Sequence, residues 1–112
     1  MSRPALRVLC VDDHAFIAEG LKARFAIEKD LEFAGWLAST ADVAVRVQEL
    51  DADIVLLDID LPGSDPFDVL GELVRRFPNV RVIMLSAHVR DQYIDAAVQA
   101  GAWGYVSKSD AP

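Results

Sequence analysis

Three apolar runs limit what this chain can fold into: Val8-Leu9-Cys10-Val11, Ile54-Val55-Leu56-Leu57 and Val82-Ile83-Met84-Leu85. Each is too short for a helix and shows no polar–apolar alternation. Such a run suits a strand with both faces covered, as in a parallel sheet. Phe33 to Leu37 and Trp103 to Val106 are aromatic and interrupted by glycine, which marks them as edge strands of the same sheet.

Between the runs the apolar period becomes helical. Ile17, Leu21 and Phe25 recur every four residues. Val43, Val47 and Leu50 form a second set, and Leu70, Leu73, Val74 and Phe77 a third. Ile94, Ala97, Val98 and Gly101 complete the pattern. Each set is one stripe of a helix lying on a sheet. Ser39 with Asp42 reads as a capping box for the second helix, Pro78-Asn79 stop the third, and Gly101 ends the fourth. The order β-α-β-α-β-α-β-α-β predicts a doubly wound α/β fold with five parallel strands. With 112 residues and no repeat or linker, residues 1–112 fit one domain.

Composition removes several function classes. Lys plus Arg number 11 against 18 for Asp plus Glu, a formal net charge of −7. That is a poor match to a nucleic-acid binder, whose affinity rests on basic groups. Cys10 is the single cysteine, so there is no internal disulfide or cysteine-based zinc cluster. No apolar stretch approaches the ~18 residues of a membrane span. The N-terminus lacks a signal-peptide pattern, so the chain reads as intracellular.

In doubly wound folds, ligands bind at the carboxyl ends of the strands. There the first strand ends in Asp12-Asp13, the third in Asp58 and the fourth in Ser86, and Lys108 follows the fifth. Any one of these is ordinary turn or cap chemistry. Together on one sheet edge they make a site. Three close carboxylates cannot all stay ionised without a cation. A hard divalent ion with oxygen ligands, Mg²⁺ foremost, relieves the repulsion. Asp58 can then attack a phosphoryl group to give an aspartyl-phosphate. The metal and Lys108 neutralise charge on the transferring group, and the Ser86 hydroxyl donates to one of its oxygens.

Val11-Asp12-Asp13-His14, Leu57-Asp58-Ile59-Asp60-Leu61-Pro62-Gly63, Leu85-Ser86-Ala87 and Gly104-Tyr105-Val106-Ser107-Lys108 resemble the receiver domain of two-component response regulators. The match covers essentially the whole chain, in order. The opening Val-Asp-Asp-His and the segment Gly101 to Lys108 look most like the NarL/FixJ-type subfamily, which usually carries a LuxR-type helix-turn-helix output domain. The resemblance implies a flavodoxin-like receiver fold with strand order 2-1-3-4-5. It implies that Asp58 is the phosphoacceptor for a sensor histidine kinase or phosphotransfer protein. Asp12 and Asp13 would hold Mg²⁺ with the Asp58 carboxylate and the main-chain carbonyl of Asp60. Lys108 would pair with the phosphoryl group, and Pro62-Gly63 would shape the loop after Asp58. Ser86 and Tyr105 would be the switch pair: the hydroxyl moves toward the phosphate and the ring turns inward. The implied protein is a cytoplasmic signalling domain rather than an enzyme. It would control transcription through a DNA-binding domain outside this chain, with no nucleic acid or membrane contact of its own. A homodimer is compatible with it.

Three departures stand out. Ser109 follows Lys108 where the family often has a cis-proline. A cis bond before a non-proline residue costs roughly 3 kcal/mol, so trans is expected. Pro66 stands where the loop commonly has glycine. The family's fifth helix has no counterpart, since only Ser109-Asp110-Ala111-Pro112 follow Lys108. That predicts an exposed apolar patch beside the first helix and fifth strand, and a chain that is a fragment of a longer regulator.

The remaining residues read more plainly. Cys10 is core, and His14 is a solvated first-turn residue. His88, two residues past Ser86, is surface or tunes phosphoryl lifetime. The Asp60 side chain points to solvent near the site. Trp36 and Trp103 read as packing residues, with a partner face as the alternative for Trp103, and Tyr93 as helix packing or part of an output surface. Two other functions are open to the same residues. Asp58-Ile59-Asp60 resembles the strand end of haloacid-dehalogenase-type phosphohydrolases, but there the motif normally sits on the first strand. Steady turnover needing the Asp60 side chain would mark such an enzyme. A phosphorylation-independent interaction module usually lacks the acidic pair, the acceptor or the lysine, and all are present here.

Overall fold

Five strands carry the structure: β1 (Leu6–Val11), β2 (Leu31–Leu37), β3 (Ile54–Asp58), β4 (Arg81–Ser86) and β5 (Gly104–Ser107). They form one parallel sheet in the order β2-β1-β3-β4-β5, so β2 and β5 are the edges the sequence predicts. The computed structural model describes residues 5–87 and 91–108. Four helices connect the strands: α1 (Ala15–Phe25), α2 (Val43–Leu50), α3 (Pro66–Arg76) and α4 (Asp91–Gln99). His88 and the Lys108–Ser109 bond lie outside the described residues, as does the segment where a fifth helix would begin.

The apolar runs are buried as a parallel sheet requires. Leu9, Val11, Val55, Leu57, Val82 and Met84 meet Val43, Val47, Leu70, Leu73 and Ala97 of the helices in one core. Leu57, Leu70, Leu73 and Met84 are wholly buried. Each such side chain contributes about 1.5–3 kcal/mol by leaving water.

Four local expectations are corrected. The Ser39–Asp42 capping box does not form: Asp42 is the N-cap of α2 but makes no side-chain cap bond. Ser39 Oγ instead accepts from Ala41 N–H at 3.5 Å, a local turn of the kind serine favours. Val98 is 64% exposed, so α4 buries Ala97 alone of that pair. Pro66 belongs to the start of α3 and not to the loop. Proline fits that position, where the missing N–H would have had no helical partner, and the Asp65 carboxylate caps the turn from Phe67 N–H at 2.9 Å. β5 runs one residue later than the aromatic segment suggested, which places Lys108 immediately beyond its end.

Two glycines have backbone reasons. Gly63, in the loop after β3, has φ +94°, and Gly101, ending α4, has φ +100°. Both lie in the left-handed region that favours glycine. A side chain on Gly101 would also press on Val74, whose nearest atom lies 3.1 Å from an ideal Cβ.

Between α1 and β5 an apolar groove of about 470 Å³ is lined by Phe16, Ile17, Leu21, Leu85, Val106 and Lys108. Phe16 is 93% exposed and Val106 45%. This is the face on which the sequence predicts an exposed patch. Among the described residues no helix is long and apolar enough to cross a membrane.

Candidate functional site

The carboxyl ends of β1, β3, β4 and β5 meet at one edge. Asp12 leaves β1 tied to the sheet by its N–H, which donates to Leu37 O at 2.9 Å. Asp58 is the last residue of β3. Both side chains are completely buried. Lys108 is fixed by its own N–H, which donates to Ser86 O at 2.8 Å. Its ammonium then reaches between the two carboxylates, 2.8 Å from Asp12 Oδ2 and 3.0 Å from Asp58 Oδ2. The other Asp58 oxygen accepts from Asp60 N–H at 2.9 Å. Asp13 stands beside the pair, with its side chain 39% exposed.

The predicted residues Asp12, Asp13, Asp58 and Lys108 are thus brought together, and Ser86 lies buried on the strand next to Asp58. Asp60 is exposed beside the site, as expected, and its carboxylate accepts from Ala87 N–H at 3.3 Å, linking the loop after β3 to the loop after β4. Tyr105 already packs against the core, and its hydroxyl oxygen is shielded from solvent without a hydrogen-bond partner. Cys10 is core as expected: burial above all pushes its thiol up to about 12.

Burial and charge pull the site's groups apart. Burial raises the Asp12 carboxyl, but hydrogen bonds from Lys108 and His14 overturn it and hold Asp12 below the usual range. Burial also raises Asp58, and there it prevails: the hydrogen bonds from Asp60 and Lys108 do not offset it, and the Asp12 charge adds to it. Burial lowers the Lys108 ammonium, but the two carboxylates win and raise it. Asp58 is the group that the fold holds charged at a cost.

Two neighbours escaped the sequence reading. His14 turns its Nδ1 toward the acidic cluster, 2.9 Å from Asp12 Oδ1 and 3.1 Å from Asp13 Oδ1. Its place directly after the acidic pair was the available signal. Trp36 donates its indole N–H to the main-chain carbonyl of Asp12 at 2.6 Å. That contact follows from a slip in the β1–β2 register, where Val8 faces Phe33 but Leu9 faces Gly35. Ala34 is the extra residue, and a one-residue slip sends the following side chains to the other face. No sequence pattern announces it.

Asp12, Asp13, His14 and Asp58 offer ligand atoms that all lie within 4.8 Å of one another. Three carboxylates against one ammonium leave negative charge uncompensated, and the oxygen-rich donor set fits a hard divalent cation. Binding there should perturb Trp36 through Asp12. Trp103 stacks on Arg81 at the opposite end of β4, 4.9 Å from ring centroid to guanidinium. We therefore expect Mg²⁺ to change tryptophan emission in the wild type and in Trp103→Phe, but not in Trp36→Phe. An unchanged response in Trp36→Phe would exclude this route.

Comparison with known proteins gives the family and the fold. Residues 8–112 match the family model described as response regulator receiver domain. The transcriptional regulatory protein MctR of Rhizobium johnstonii is 35% identical over 107 residues, covering 95% of this chain and 50% of MctR. The DNA-binding transcriptional activator DevR/DosR of Mycobacterium tuberculosis is 31% identical over 103 residues, covering 92% of this chain and 48% of that protein. The chain spans about half the length of the curated relatives it matches. Among solved structures, the signal receiver domain of the putative response regulator NarL from Mycobacterium tuberculosis superposes with TM-score 0.86 at 27% identity, covering 97% of this chain and 88% of that one.

Proposed function

The chain belongs to the response regulator receiver domain family, and on that premise we propose that Asp58 accepts a phosphoryl group from a sensor histidine kinase or phosphotransfer protein. One observation carries the proposal. A completely buried carboxylate ends a central strand, bridged to a buried acidic partner by an ammonium 3.0 Å away.

The chemistry follows from those positions. An Asp58 oxygen attacks the phosphorus of a donor phosphohistidine, the phosphorus–nitrogen bond breaks, and the imidazole leaves with its electron pair. Lys108 faces the developing negative charge with a side chain only 10% exposed, where water screens little of the attraction. Asp12 and Asp13 would hold Mg²⁺ with Asp58 and the Asp60 carbonyl. When bound, the ion supplies charge neutralisation on the transferring oxygens. The Asp60 N–H orients Asp58, and the Ser86 hydroxyl donates to a phosphoryl oxygen.

The domain acts as a signalling acceptor and not as a turnover enzyme, in the cytoplasm where a kinase can reach it. Its output would be transcriptional, through a DNA-binding domain beyond this chain. The names of MctR and DevR/DosR support that role, and a receiver homodimer is one way to transmit it.

The switch would lie in the loop after β4 and at Tyr105. A new phosphoryl acceptor draws Ser86, and the Tyr105 ring, packed against the core, can then give its unsatisfied hydroxyl a partner. Beryllofluoride should shift the NMR signals of Ser86, Ala87 and Tyr105 while leaving those of Leu9, Val55 and Leu73 in place. Unmoved Ser86 and Tyr105 signals at saturation would argue against a switch in this chain.

The test of the function is incubation with acetyl phosphate and Mg²⁺, read by intact mass. One phosphoryl group should be gained with Mg²⁺ and none in excess chelator. Phosphate mapping to Ser86, Ser107 or a histidine would refute the assignment, as would sustained hydrolysis that depends on the Asp60 side chain.

A further inference from the structure

His14 has no part in the phosphoacceptor chemistry, yet it sits at the centre of the charged cluster. Its Nδ1 lies 2.9 Å from Asp12 Oδ1, 3.1 Å from Asp13 Oδ1 and 3.8 Å from Asp58 Oδ2. The Lys108 ammonium is 3.3 Å from the same nitrogen. His14 is the N-cap of α1, but its side chain makes no cap bond, so helix capping does not explain where the ring points. The root of the ring is held, because the His14 main-chain N–H donates to Asp12 Oδ1 at 2.8 Å.

No single hydrogen bond accounts for this arrangement. A ring nitrogen carries at most one hydrogen, which can serve one of the two close carboxylates. Toward Lys108, which only donates, the same nitrogen must present its lone pair. A cation bound by Asp12, Asp13 and His14 together would give the two carboxylate oxygens and the Nδ1 lone pair one common partner. Cis ligands on an octahedral ion with bonds of about 2.1 Å stand roughly 3 Å apart. That is the spacing of Nδ1 from the Asp12 and Asp13 oxygens.

We propose that His14 Nδ1 is a direct ligand of the divalent cation, and that this turns an oxygen site into a mixed oxygen–nitrogen site preferring first-row transition metals to Mg²⁺. The proposal rests on the reading of the acidic cluster as a metal site. Imidazole adds affinity for transition metals and little for Mg²⁺, which keeps oxygen ligands and water. The ring is 61% exposed, which leaves its far side open to water while Nδ1 faces the carboxylates.

The experiment uses Mn²⁺, the weakest binder of the first-row series and so the strictest probe. Electron spin-echo modulation of the Mn²⁺ complex should show a coordinated imidazole nitrogen in the wild type and in His88→Ala, and none in His14→Ala. By competition titration at fixed pH, His14→Ala should lose Mn²⁺ affinity by about tenfold or more, the range a disturbed metal site typically shows, with Mg²⁺ affinity little changed. The spectroscopic arm needs only the wild type, so a poorly folded variant does not rescue the claim. Bound Mn²⁺ without nitrogen modulation would overturn the His14 assignment and leave the metal site standing. So would modulation that persists in His14→Ala. No Mn²⁺ binding in the wild type would overturn the metal site and the proposal with it.

Discussion

Asp58→Asn should abolish phosphoryl incorporation and, in the metal-free chain, raise the melting temperature. The first effect is complete, because asparagine offers no nucleophilic carboxylate oxygen in a shape that otherwise fills the same space. The second follows from the cluster's electrostatics. Burial, aided by the Asp12 charge, holds the Asp58 carboxyl above its ordinary range. A folded-state value above the unfolded one means that Asp58 contributes stability below its unfolded value and loses it as pH rises through the folded value. At neutral pH the charged form is therefore a liability that the neutral amide removes. Lys108 keeps Asp12 as a partner at 2.8 Å, so the ammonium is not orphaned. A gain of about 1 kcal/mol corresponds to roughly 4 °C in a domain of this size. It should shrink on acidification into the carboxylate range, where Asp58 becomes neutral itself, and Mg²⁺ should narrow it by neutralising the wild type. Calorimetry of both chains in chelator, across pH, is the measurement. A variant that melts lower than wild type at neutral pH would show that Asp58's hydrogen bonds outweigh its burial.

The sheet was legible because its physics is local. A run such as Ile54 to Leu57 has one economical fate, and the polar residue that follows must then stand at the strand end. Asp12, Asp58 and Lys108 could be placed on one edge that way, although the ammonium bridge between the two buried carboxylates appears only in the structure. The contacts that depend on register or on side-chain choice were not legible. Trp36 reaches Asp12 because Ala34 is an extra residue in β2, and nothing in Leu31 to Leu37 marks that slip. His14 could as well have faced water. Only the geometry brings its Nδ1 within 3.1 Å of two carboxylates. The capping box failed for a similar reason: Ser39 found a nearer partner in its own turn, and pattern alone does not weigh competing local hydrogen bonds. Tyr105 could be placed on β5 by its spacing, but its ring position is a matter of packing against the core.

Lys108→Met should be the most destabilising change in the site. The ammonium is 10% exposed and bridges two carboxylates that are wholly buried. Removing one partner of a buried ion pair costs about 3–5 kcal/mol, because charge is left without water or counter-ion. The Lys108 ammonium is raised by its two partners, so its contribution is fully present below its unfolded value and is lost only as pH rises through the folded one. Neutral pH therefore shows the whole deficit, and acidification should reduce it as one carboxyl takes up a proton. Urea denaturation in chelator and in saturating Mg²⁺ would measure it, with Mg²⁺ recovering part of the loss by standing in for the missing charge. Phosphoryl transfer should fall steeply in either condition. The decisive comparison is the double variant Lys108→Met with Asp58→Asn. If repulsion between buried carboxylates drives the loss, the double variant leaves one such charge where Lys108→Met leaves two, and it should be more stable than Lys108→Met alone by more than Asp58→Asn gains in the wild-type background. Strict additivity would mean that Lys108 stabilises the fold through its packed alkyl stem and not through its charge.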